Sequence, residues 1–129
     1  MHAAKVLVVD DSPTMRQLII FALQRLPTLQ ISEAGDGVAA LKQLSSEKYD
    51  LLLTDINMPM MDGLKLVSLI RNDSLYMNLP IIVITTEGSD MTRERAIAAG
   101  ANEYITKPLQ TTRLVEVVRR LLDPEYQQS

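Results

Sequence analysis

Leu51-Leu52-Leu53-Thr54-Asp55-Ile56-Asn57-Met58-Pro59-Met60-Met61-Asp62-Gly63 decides how the rest of the chain is read. Leu51 to Thr54 is an apolar run too short for a helix and too continuous for a half-exposed strand, which predicts a strand buried on both faces. It stops at an acid, Asp55. A methionine-rich loop follows, and after Asp62-Gly63 the residues Leu66, Val67 and Ile70 fall at helical spacing. A buried strand, an acidic end, a loop and an amphipathic helix make up the repeating unit of an α/β protein.

The same unit recurs on both sides. Upstream, Val6-Leu7-Val8-Val9 ends at Asp10-Asp11, and Ser12-Pro13 opens a helix with proline at its first position. Met15, Leu18, Ile19, Ala22, Leu23 and Leu26 share one face of that helix, and Pro27 stops it. Leu29-Gln30-Ile31-Ser32-Glu33 alternates like an exposed strand, and Asp36-Gly37 turns into a helix carrying Val38, Leu41 and Leu44. Downstream, Pro80-Ile81-Ile82-Val83-Ile84 ends at Thr85-Thr86, followed by a helical segment from Ser89 to Ala99 with a weak apolar stripe. Glu103-Tyr104-Ile105-Thr106 is a short polar strand ending at Lys107-Pro108, and a last helix carries Leu114, Val117, Val118, Leu121 and Leu122.

Five strands alternating with five helices predict an α/β fold, a doubly wound parallel sheet with helices on both faces. The first, third and fourth strands are continuously apolar and belong inside, whereas the second and fifth are polar and short and belong at the edges. Six orders satisfy that condition. Among them 2-1-3-4-5 keeps the most sequence neighbours side by side.

The 129 residues fit one domain over 1–129, without an attached output domain. With 13 basic and 16 acidic residues the net charge is −3, which disfavours nucleic acid as a partner. No apolar run approaches the roughly 18 to 20 residues of a bilayer span, and no secretory signal precedes the first strand, so a cytoplasmic location is expected. There is no cysteine and a single histidine, His2, which removes thiolate chemistry and histidine-based metal cages or triads. Any chemistry must come from carboxylates, hydroxyls, lysines and an oxygen-bound cation.

In a sheet of this order ligands bind at the carboxyl ends of the strands, where the order reverses between strands one and three. Asp10, Asp11, Asp55, Thr85 and Lys107 all end strands on that rim. Two like charges about 4 Å apart repel by about 4 kcal/mol at an effective dielectric near 20, so three carboxylates there need protons or a cation. Oxygen ligands alone suit a hard divalent ion, Mg²⁺ where phosphate is handled. Asp55 then has room to accept a phosphoryl group whose oxygens Thr85 and Lys107 bind.

Over its whole length the chain resembles the CheY-like receiver domain of bacterial two-component response regulators. The resemblance rests on Val8-Val9-Asp10-Asp11-Ser12, Asp55-Ile56-Asn57-Met58-Pro59 with Asp62-Gly63, Thr85, and Lys107-Pro108. Receiver domains of this kind are themselves a standard illustration of the flavodoxin-like 2-1-3-4-5 order, so order and resemblance are not wholly independent observations. The resemblance implies that Asp55 takes a phosphoryl group from a phosphohistidine on a sensor histidine kinase. It implies Mg²⁺ on Asp10, Asp11, Asp55 and the Asn57 carbonyl, with Lys107 and Thr85 on the phosphoryl oxygens and a cis Lys107-Pro108 bond. Tyr104 matches the family's switch aromatic, which buries when Thr85 moves, and Asn57 with Glu87 matches positions that tune self-hydrolysis toward fast turnover. Two residues depart from the family pattern. Thr86 stands where a small residue is usual, which narrows access to Asp55 or alters the Tyr104 swing; Leu109 stands where phenylalanine is common.

The implied function is a monomeric stand-alone switch that turns over no external substrate and acts by contact with a protein target. Chemotaxis with a flagellar-motor target and an assisting phosphatase is the first reading; a phosphorelay shuttle or a non-chemotaxis regulator is the second, and a phosphorylation-independent binding module the third. A flavin carrier would need phosphate donors where Asp10 and Asp11 stand, and a haloacid-dehalogenase-like phosphatase would need an acid at Asn57. Taken singly, Asp11 or Ser12 could cap the first helix, Asp55 and Thr85 could serve turns, and Lys107 could be a solvated lysine. Met58, Met60 and Met61 read as loop packing, Arg119-Arg120 as a solvated helix face, and His2 as a terminal residue with no role.

Overall fold

The computed structural model describes residues 4–123; His2 lies outside them. The elements run β1 (Ala4–Val9), α1 (Pro13–Leu23), β2 (Leu29–Ala34), α2 (Gly37–Ser46), β3 (Leu51–Thr54), α3 (Gly63–Arg71), β4 (Ile81–Thr85), α4 (Asp90–Ala99), β5 (Glu103–Thr106) and α5 (Thr111–Leu122). The strands form one parallel sheet in the order β2-β1-β3-β4-β5. Every residue of β3 and β4 is buried, as continuous apolar runs require, and β2 and β5 occupy the edges.

Alternation along the strands divides the interior in two. Leu7, Val9, Leu52, Ile81 and Val83 pack with Leu44, Leu66, Val67, Ile70 and Ala96 from α2, α3 and α4. Val6, Val8, Leu51, Leu53, Ile82 and Ile84 pack with Ile19, Leu23, Leu114, Val118 and Leu121 from α1 and α5. The chain leaves β1 in one direction and β3 in the other, and right-handed crossovers therefore put α1 opposite α2, α3 and α4, while α5, which follows the last strand, packs on the α1 side.

Several local expectations are corrected. Helix α1 ends at Leu23, short of Pro27, because a turn closed by Leu26 N–H on the Leu23 carbonyl at 2.9 Å finishes it first. Leu18 points outward with 55% of its surface exposed, as does Val38 with 54%, since each lies off the stripe that meets the sheet. Strand β2 has six residues, as many as β1, so polarity rather than shortness marks it as an edge. Leu122 is only half-buried, and Val115 takes its place among the buried residues of α5. Leu109 packs half-buried against the α1–α5 layer.

Candidate functional site

Strand register assembles the rim. Val9 pairs with Thr54, and Asp55 N–H donates to the Val9 carbonyl at 3.1 Å, so Asp10 and Asp55 leave adjacent strands at one level. Thr54 also pairs with Val83, which puts Thr85 just beyond Asp55 on the next strand. Thr85 pairs with Thr106, and Lys107 N–H donates to the Thr85 carbonyl at 2.8 Å, bringing the lysine to the same rim. Parallel pairing thus gathers residues from positions 10, 55, 85 and 107 at one end of the sheet.

Asp10 and Asp55 are almost fully buried, and Lys107 joins them: its Nζ lies 2.9 Å from Asp55 Oδ2 and 3.3 Å from Asp10 Oδ2. Asp55 Oδ1 accepts from Ile56 N–H at 2.6 Å and Asn57 N–H at 3.3 Å, so both oxygens of this carboxylate are held. Asp10 Oδ1 accepts from Ser12 N–H at 2.9 Å. Asp11 is exposed, and carboxylate oxygens of Asp10, Asp11 and Asp55 lie within 4.8 Å of one another. Burial works against the Lys107 ammonium, but hydrogen bonding and the charge of Asp55, then of Asp10, outweigh it and hold its pKa above the usual lysine value.

Two devices hold the acidic loops. Ser12, not Asp11, caps α1, its Oγ accepting from Met15 N–H at 3.2 Å. Gly63 presses against the strand end: a Cβ there would sit 2.0 Å from the Asp55 carbonyl oxygen, so only glycine lets α3 start this close. Its N–H donates to the Ile56 carbonyl at 2.8 Å. Met58 is buried against α3, Met61 contacts Gly37, and Met60 is 95% exposed with a φ of 71°. The loop methionines thus divide between packing and exposure.

The β4–α4 loop closes the other side. Thr85 is fully buried, and its Oγ1 accepts from Glu87 N–H at 3.3 Å. Glu87 reaches across to Asn57, whose Nδ2 donates to its Oε1 at 3.4 Å, so the β3–α3 and β4–α4 loops meet through these two side chains. Tyr104 is buried in this structure: its hydroxyl donates to the Glu87 carbonyl and the Arg93 guanidinium lies 5.1 Å from its ring centre. Burial, then the Glu87 charge, raises its pKa above the ordinary phenol value, with Arg93 opposing. Thr86 is exposed on the rim. The Lys107-Pro108 bond is cis.

Arg120 pairs with Glu103 rather than being merely solvated, while Arg119 is exposed. Among the described residues no helix is long and apolar enough to cross a membrane. Arg16 is a site residue that the motifs did not single out; it donates from its guanidinium to the Asp10 carbonyl at 2.5 Å. Its place on the second turn of α1, beyond two acids, was the available signal.

The receiver architecture is matched at every level of comparison. The sequence profile of the response regulator receiver domain matches residues 6–119. The chemotaxis protein CheY1 of Helicobacter pylori is 44% identical over 119 residues, 92% of this chain and 96% of that protein. The structure of the chemotaxis response regulator CheY4 of Vibrio cholerae superposes with a TM-score of 0.85 at 35% identity, covering 93% of this chain and 99% of that one. The receiver domain of sensor histidine kinase PA1611 from Pseudomonas aeruginosa, solved with a magnesium ion in its active-site cleft, gives 0.84 at 28% identity, covering 93% and 98%. A profile match across most of the chain, a relative of this identity and a shared strand order agree, and the chain belongs to the response regulator receiver domain family.

Proposed function

We propose that this chain is a stand-alone receiver over residues 1–129 that takes a phosphoryl group onto Asp55 and relays it as a change in protein contacts. The observation that carries the reading is the meeting of three carboxylates with one half-buried ammonium at the ends of adjacent strands. A single lysine cannot neutralise three acids, and the donors are hard oxygens, so the set fits Mg²⁺ on Asp10, Asp11, Asp55 and the Asn57 carbonyl. When bound, that ion supplies positive charge to phosphoryl oxygens.

Asp55 is oriented for attack through the backbone N–H groups on Oδ1 and Lys107 on Oδ2. Its carboxylate displaces the imidazole of a phosphohistidine: the P–O bond forms as the P–N bond breaks, and the imidazole takes up a proton. Lys107 and the Thr85 hydroxyl then hold phosphoryl oxygens. The phosphoryl group can favour an active form only through contacts better made there, and these two side chains are the ones that change partner. Because Thr85, Glu87 and Tyr104 are joined through the β4–α4 loop, a move of Thr85 toward phosphate disturbs the support of the Tyr104 ring. Asn57 and Glu87 flank the phosphoryl position and favour rapid self-hydrolysis; exposed Thr86 narrows the approach of water. The chain turns over no external substrate.

The names of its relatives favour chemotaxis. In that reading a cytoplasmic histidine kinase is the donor, a flagellar-motor protein the target, and a phosphatase resets a monomeric switch. Incubation with acetyl phosphate and MgCl₂ should add about 80 Da at Asp55. The adduct should be absent in Asp55→Asn and without Mg²⁺. Intact wild-type protein that never gains that mass overturns the reading.

A further inference from the structure

Asp11 is the one carboxylate of the cluster that no side chain holds: it is exposed, and among the described residues it accepts no hydrogen bond. Its direction is therefore set by the peptide that joins it to Asp10. The other groups of Asp10 are all tied. Its N–H donates to the Ala34 carbonyl at 3.2 Å, and its carboxylate accepts from Ser12 N–H and Lys107. The remaining group, its carbonyl, accepts from Arg16 at 2.5 Å. Arg16 is held in turn: Nε donates to Glu33 Oε1 at 2.9 Å, with the arginine side chain only 17% exposed, and the Glu33 backbone carbonyl accepts from Gln43 at 2.6 Å.

We infer that Arg16 is a positioning residue for the acidic cluster: by holding the Asp10 carbonyl it fixes the Asp10–Asp11 peptide plane and keeps the Asp11 carboxylate beside Asp10 and Asp55. The inference rests on the reading of the cluster as a Mg²⁺ site. Arg16 works with two effects of opposite sign. Its charge repels an incoming dication, whereas its hydrogen bond pre-organises a ligand. The salt bridge to Glu33 cancels much of the first and leaves the second. Arginine suits the task because one rigid fork can serve the Glu33 carboxylate and the Asp10 carbonyl together, which an ammonium does less well.

The test is titration of metal-free protein with MgCl₂ by calorimetry, together with thermal melts in EDTA and the amide ¹⁵N–¹H resonance of Asp11. Arg16→Ala should weaken Mg²⁺ binding by about tenfold, the lower end of what loss of a partner behind a metal ligand costs. It should also shift the Asp11 amide resonance. Arg16→Lys should recover part of the affinity, and Glu33→Gln should fall between wild type and Arg16→Ala. Asp11→Asn serves as the control that loses binding directly. Equal or tighter Mg²⁺ binding in Arg16→Ala, or in Glu33→Gln and Arg16→Lys should Arg16→Ala not fold, overturns the positioning role while leaving the site intact. Wild-type protein that binds no Mg²⁺ overturns the reading of the cluster, and this inference with it.

Discussion

Neutralising Asp11 should stabilise the metal-free protein and destabilise it relative to wild type once Mg²⁺ is present. Carboxylate oxygens of Asp10, Asp11 and Asp55 lie within 4.8 Å of one another. At that separation each pair of charges repels by about 3.5 kcal/mol at an effective dielectric near 20, and by about 0.9 kcal/mol in bulk water. Asp11 is exposed, so the lower figure governs its two pairs, and attraction to Lys107 takes back a part. The net gain for Asp11→Asn is about 1 kcal/mol, a rise in melting temperature of about 3 to 5 °C for a domain of this size.

Magnesium reverses the order. An ion that binds only the folded chain adds about 2.7 kcal/mol at a hundredfold excess over its Kd, and Asp11→Asn forfeits most of that gain. Circular-dichroism melts of both proteins in EDTA and across a MgCl₂ series should therefore give two curves that cross. The electrostatic account of the cluster is refuted if Asp11→Asn melts at or below wild type in EDTA. It is equally refuted if both proteins gain the same stability from Mg²⁺.

Three further outcomes follow from the geometry. Gly63→Ala should cost about 1 to 3 kcal/mol in urea unfolding, because its methyl must displace the Asp55 carbonyl, and it should slow phosphate uptake at Asp55; unchanged uptake and stability would refute the close approach. Met60, at a φ of 71° and in a three-residue turn closed by Met61 N–H on the Pro59 carbonyl, carries a left-handed backbone strain. Relief of about 1 to 2 kcal/mol, less the glycine entropy of about 0.5 to 1 kcal/mol, should make Met60→Gly more stable by about 0.5 kcal/mol, and a lower urea midpoint would contradict this. Lys107, Tyr104 and Tyr76 all hold their protons to higher pH in the folded chain than their ordinary values of 10.5, 10.0 and 10.0. The unfolded chain therefore loses those protons first, and the stability they contribute is complete below about pH 10 and falls as pH rises beyond it. Urea midpoints that rise between pH 9 and pH 11 would refute that sign.

Local sequence carries the elements because their signals are local. Leu51-Leu52-Leu53 and Ile81-Ile82-Val83-Ile84 read as interior strands since both faces of each must meet helices, and the polarity of Ser32, Glu33 and Glu103 marks the edges. Ser12, Asp36 and Asp62 announce three helix starts, and each side chain does accept the capping hydrogen bond. Where helix-wheel logic failed, at Leu18 and Val38, the apolar side chain lay at the border of the stripe, beyond the buried residues that meet the sheet, and stayed in solvent. The acids of the site were legible from their place at strand ends. Arg16 was not, because its partners Asp10 and Glu33 belong to two different strand ends that only folding brings within reach of one guanidinium.

The sequence by itself determined the alternation of strands and helices, the strand order that alternation favours, and which residue types stand at the carboxyl ends of the strands. Only the tertiary structure decided that Lys107 bridges Asp10 and Asp55, that Glu87 spans from Asn57 to Tyr104, and that Tyr104 is buried with its hydroxyl on a loop carbonyl. Periodicity and end signals act over a few residues and are written along the chain. Partnerships between positions separated by up to 97 residues depend on register and crossover, which the packing of the whole sheet sets at once.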